Sequence, residues 1–67
     1  MKITDPEKGI EREVKELKIV FHKMPDKKGV KQDVKCVEFV IIGKNNEWDE
    51  WFLYDDFQEA NPTIDIS

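Results

Sequence analysis

Along VKELKIVFHKM (14–24) apolar and polar positions alternate: Leu17, Ile19 and Phe21 share one side, with Lys18, Val20 and His22 on the other. A period of two marks a strand with one buried face. The next stretch, MPDKKGVKQD, carries a proline, two aspartates, a glycine and three lysines, and so reads as a turn or exposed loop. DVKCVEFVIIG (33–43) follows, rich in β-branched residues and closed by Gly43. Its two sides are Val37, Phe39 and Ile41, and Val34, Cys36, Glu38, Val40 and Ile42. Only Glu38 interrupts the second side, and a strand apolar on both sides is normally central and covered twice. KNNE (44–47) has the length and chemistry of a hairpin connection, because asparagine tolerates positive φ. The acidic, aromatic run that follows supplies a third strand over 47–54, with Trp48, Glu50, Phe52 and Tyr54 on one face and Asp49, Trp51, Leu53 and Asp55 on the other.

The two ends are patterned differently. Thr4 and Glu7 have capping-box spacing with Pro6 between them, and Ile10, Val14, Leu17, Phe21 and Met24 fall on one helical face. A helix over 5–24 therefore competes with the strand. Ile19, Val20 and Phe21 are poor helix-interior residues and Gly9 weakens the helix further, so the pattern favours a helix or arm only to about residue 13. Near the other end, Asp55 precedes Gln58 by three and Asp56 precedes Glu59 by three, with Pro62 after Asn61. That spacing predicts a capped helical turn over 56–61. Residues 62–67 then form a frayed tail or weak edge strand carrying Ile64 and Ile66.

The expected fold is a small α+β domain over residues 1–67. It consists of an antiparallel three-stranded meander (14–24, 33–43, 47–54), an N-terminal helix or arm and a short C-terminal helical turn. The alternative is a long N-terminal helix packed on a two-stranded hairpin. A chain of 67 residues buries only ~60% of its unfolded surface. With one cysteine it has no intrachain disulfide, and Cys36 and His22 alone cannot supply a structural zinc site. Self-association remains as support, so a homodimer or other homo-oligomer is expected. No apolar run approaches a membrane span and MKITDPEKGIER lacks a signal peptide's apolar middle. The expected location is accordingly the cytoplasm.

Charge changes this picture more than composition does. Net charge is −4, but residues 15–35 carry seven lysines against three carboxylates, whereas 36–67 carry one lysine against eight. Such asymmetry marks a surface for an acidic or basic partner, unless the two segments are neighbours and neutralise one another. Chemistry is otherwise sparse. Gly9, Gly29 and Gly43 are too scattered for a phosphate loop. A thiol–imidazole pair of Cys36 and His22 is conceivable on adjacent strands, although a small buried thiol explains Cys36 more simply. No enzyme, cofactor or metal site is expected.

Two functions fit these features. In the first, a non-catalytic protein-interaction module, a small regulator or inhibitor, binds its partner through Trp48, Glu50, Trp51, Tyr54, Asp55 and Asp56, residue types enriched at binding hot spots beside an acidic segment. In the second, a nucleic-acid-binding sheet lines a groove with Lys15, Lys18, Lys23, Lys27, Lys28, Lys31 and Lys35 and stacks a base on an aromatic ring. The strongly acidic second half opposes the latter, since it repels a phosphate backbone.

Overall fold

In the computed structural model, which describes residues 1–66, Val37 faces Ile19 on one neighbouring strand and Phe52 on the other. Extending that register gives four antiparallel strands, β1 (Lys2–Thr4), β2 (Glu11–Pro25), β3 (Lys31–Ile42) and β4 (Glu47–Leu53), in chain order across one half-barrel sheet. One short helix, α1 (Tyr54–Ala60), follows β4 directly. Among the described residues no helix is long and apolar enough to cross a membrane.

The N-terminal helix, in either its short or its long form, is therefore absent, and the three-stranded meander gains a fourth strand. Two local features explain why the residues mimic a helix. Asp5, rather than Thr4, organises the turn: its carboxylate accepts the amides of Glu7 and Lys8 at 2.8 and 2.9 Å, and its amide donates to Ile10 O at 2.7 Å. That is an Asx turn joining β1 to β2, in which an aspartate satisfies the turn's own amides. The second feature is a β-bulge. Lys15 pairs with Val40 but Lys18 pairs with Glu38, so β2 holds one extra residue there, and Glu16 sits at φ 59°. Without the bulge, strict alternation would turn Val14 away from Leu17 and Ile19. With it, Val14 faces Ile41 and is fully buried. The three-residue step from Val14 to Leu17 thus reads as helical periodicity in sequence but is the extra residue that bends the strand.

The core lies on one face of the sheet. Ile3, Val14, Val37, Phe39 and Ile41 contribute from the strands and Phe57 from α1, with Leu17, Ile19, Phe52, Tyr54, Ile64 and Ile66 packed around them. Phe39 is the hub, its ring 6.0 Å from those of both Phe52 and Phe57. Ile64 and Ile66 pack against this core without forming a strand; Ser67, the last residue of the expected tail, lies outside the described residues. Asn61 ties the helix end to the edge strand. Its side chain accepts the Thr4 amide at 2.7 Å and donates to Thr4 O and Phe57 O at 2.9 and 3.1 Å.

The opposite face has no element packed across it. It carries Val20, His22, Met24, Val34, Cys36, Glu38, Val40, Ile42, Trp51 and Leu53, by strand alternation from the register. The β2–β3 hairpin also outruns its neighbours. β1 pairs only with Glu11–Glu13, and β4 ends opposite Cys36, so residues 22–34 project as a two-stranded arm. Asp26 closes its tip, accepting the amides of Lys28 and Val30 at 2.8 and 2.9 Å.

Candidate functional site

Strand β4 divides the aromatic and acidic run between two surfaces. Trp48, Glu50 and Phe52 lie on the helix-covered face, opposite Ile41, Phe39 and Val37; Asp49, Trp51 and Leu53 lie on the other, opposite Val40, Glu38 and Cys36. The six expected partner-binding residues consequently do not form one patch. Trp48 and Glu50 lie toward the start of β4, Tyr54, Asp55 and Asp56 at the opposite end where α1 begins, and Trp51 on the other face of the sheet.

Trp48 is 38% exposed, and its indole donates to Glu50 Oε2 at 2.6 Å, with the Arg12 guanidinium 5.9 Å from the ring centroid. Gly43 makes room for it: a methyl group there would lie 2.7 Å from Cζ3 of the indole. Tyr54 is half-buried at the start of α1, with the Lys35 ammonium 3.9 Å over its ring, a cation–π contact. Asp55 and Asp56 occupy the first turn of α1 and are exposed, but they do not cap it. The N-cap is Leu53 and no side chain bonds the free amides, so the expected capping pairs with Gln58 and Glu59 do not form. Their favourable interaction with the positive end of the helix remains.

Beside them lies an open hollow of about 600 Å³ lined by Pro6, Glu7, Phe52, Asp56, Glu59 and Ala60. Phe52, Pro6 and Ala60 are its apolar lining, and Glu7, Asp56 and Glu59 are its carboxylates. Among the described residues, none of these three carboxylates, nor Glu50 or Asp55, has a cation within ion-pair distance. Glu7 comes from the β1–β2 turn and Glu59 from the far end of the chain, so no sequence spacing announced the hollow. Among the described residues no three His, Cys, Asp or Glu side chains converge to hold a metal ion.

The lysines are distributed quite differently. Lys15 pairs with Glu47 at 2.9 Å, Lys18 with Glu38 at 3.3 Å and Lys23 with Asp33 at 3.5 Å, and Lys35 covers Tyr54. Glu47 holds the Lys15 ammonium above its ordinary pKa, by hydrogen bond and by charge. Lys27, Lys28 and Lys31 belong to the tip of the arm. The seven therefore line no common groove. Neighbouring strands instead neutralise one another across the sheet.

On the uncovered face, His22 and Trp51 stack with ring centroids 4.4 Å apart and planes 25° apart. Cys36 lies on the strand between them and is fully buried. Its thiol donates to Val34 O at 3.4 Å, and burial pushes its pKa up. A thiol in that state is protonated and shielded, the reverse of an activated nucleophile. The His22 Nε2 atom is enclosed with no hydrogen-bond partner.

Comparison with protein-family models, with curated proteins and with solved structures finds no significant match to this chain.

Proposed function

We propose that this protein is a non-catalytic interaction module that binds a lysine- or arginine-bearing segment of another protein at the β4–α1 side. The observation that carries the reading is the hollow lined by Glu7, Asp56 and Glu59 around Phe52, whose carboxylates have no cation within ion-pair distance among the described residues. A long basic side chain suits such a place, since its methylene stem covers apolar surface while its charged head meets the carboxylates. Phe52 in the hollow supplies an aromatic contact of the kind common in binding hot spots, and exposed Trp48 lies on the same face of β4. The paired lysines of the sheet count against the nucleic-acid alternative, because a cation already held by a carboxylate neutralises a phosphate poorly.

A decalysine peptide titrated against tryptophan fluorescence tests this reading. Binding is expected at low salt, weakening as salt screens the exposed carboxylates. Replacing Glu7, Asp56 and Glu59 by Gln, Asn and Gln is expected to weaken it about tenfold. Equal affinity in that variant, or tighter binding of a single-stranded oligonucleotide than of the peptide, would contradict the proposal.

A further inference from the structure

The uncovered face differs from the acidic hollow in both shape and charge, and both differences bear on what can cover it. Toward the arm it is apolar, with Val20, Met24, Val34, Trp51 and Leu53; Trp51 is 44% and Leu53 37% exposed. Toward β1 it is ionic but balanced. Glu13, Glu38 and Glu47 have cations at 2.8, 3.3 and 2.9 Å, from the N-terminal ammonium, Lys18 and Lys15. Asp49 is the exception among the β4 carboxylates on this face.

The dimensions of the chain point the same way. Its accessible surface is 5033 Å² at 8.0 kDa, where a compact monomer of that mass exposes about 4,450 Å². Its radius of gyration is 12.9 Å, against about 11 Å for a compact chain of its length. The excess comes from a sheet with one side uncovered and an arm with no strand beside it. β3 alone is 12 residues long, so the face runs roughly 40 Å, four strands or about 14 Å wide at its β1 end and narrowing to two strands along the arm. A corrugated surface of that footprint is on the scale of the ~800 Å² that each partner contributes to a standard interface.

We infer that this face is covered by a second copy of the chain, the two sheets packing face to face about a two-fold axis through the apolar half. Charge selects the second copy. Two molecules each carrying −4 repel most where carboxylates are uncompensated, at the β4–α1 side, and least where the acids are already paired. A two-fold arrangement lays each arm over the other copy's Trp51 and Leu53, so that every contact occurs twice. It also gives the otherwise isolated hairpin arm a surface to rest on, which a two-stranded ribbon needs. The hollow lies on the opposite face and stays open, so dimerisation and binding of a basic segment are separate properties.

Sedimentation equilibrium of the full chain, with variants, tests the inference. A mass of about 16 kDa, twice the 8.0 kDa chain, is expected at about 100 µM. Leu53→Lys and Val34→Lys, on the proposed interface, are expected to weaken association at least tenfold while leaving the circular dichroism of the monomer unchanged. Phe21→Lys, at the base of the arm on the other face and already 63% exposed, is expected to leave the mass near 16 kDa. A chain that stays at 8.0 kDa throughout would overturn the inference, as would folded L53K and V34K proteins that still dimerise or a Phe21→Lys protein that does not.

Discussion

The two faces of β3 have nearly the same apolar content and opposite fates. Val37, Phe39 and Ile41 are at most 3% exposed, because α1 and the C-terminal isoleucines fold back over them. Val34 and Val40, on the other side, are only half-buried and Ile42 is 38% exposed; Cys36 alone on that side of β3 is fully buried, between His22 and Trp51. The difference is one of available chain. After four strands there remain only 14 residues, enough for one helix and a short tail, and these cover one face. Charge follows the same division: on the uncovered face Glu13, Glu38 and Glu47 have cations and only Asp49 of β4 lacks one, whereas among the described residues the acids around α1 have none. A sheet closed on one side only thus presents two surfaces that suit different occupants.

Substitutions across that division separate the faces, beginning with the largest effect. Phe57→Ala removes the helix's only fully buried side chain and its contact with Phe39, and is expected to cost about 3 to 5 kcal/mol in urea unfolding. In a domain of marginal stability that leaves a large unfolded fraction. Leu53→Ala on the uncovered face, measured on dilute protein, is expected to cost under ~1 kcal/mol. Comparable losses at the two sites would break the contrast.

Asn61→Ala comes next. It orphans Thr4 N–H and removes two further bonds, so a loss of about 1 to 3 kcal/mol is expected, with faster hydrogen exchange at Thr4 as its local sign. Unchanged exchange would mean that β1 is held by other contacts.

Cys36 sharpens the picture of the uncovered face, where the His22–Trp51 stack is its lid. Alkylation by iodoacetamide at pH 8 is expected to be at least tenfold slower than in urea-unfolded protein, and to quicken in Trp51→Ala. Burial raises the thiol's pKa above its ordinary 9.0, so the folded state holds its proton longer than the unfolded chain does. The associated stability is present below pH 9.0 and declines as pH rises through the folded value.

The smallest effect belongs to the exposed pair of Lys15 and Glu47. Glu47→Gln is expected to change the urea midpoint little, since solvent screens such a pair, and to return the Lys15 ammonium toward its ordinary pKa. A large loss of stability would show that the pair does more than neutralise the face.

The central hairpins were legible because strand alternation is local: VEFVII announces a mid-sheet strand, and the opposed faces of Trp48 and Trp51 follow from counting by two. The N-terminal third was not, for physical reasons. KIT is three residues long and gains its place as β1 through tertiary contacts: pairing with Glu11–Glu13, burial of Ile3 in the core, and the side chain of Asn61, 57 residues from Thr4. The bulge at Glu16 produced a helical spacing from a bent strand. Spacing also misassigned Asp55 and Asp56 as caps, because helix geometry permits that bond but the helix starts after Leu53, two residues before Asp55 and three before Asp56, which places both inside the first turn. The hollow joins Glu7 to Glu59, a meeting that depends on tertiary structure alone.

Carbene footprinting of dilute protein, read residue by residue, bears most directly on the division between the faces. If one face is closed and the other open, Trp51, Leu53 and Val34 are labelled strongly while Val37, Phe39 and Phe57 are protected. Equal labelling of both sets, or protection of Trp51 and Leu53 in the monomer, would contradict it.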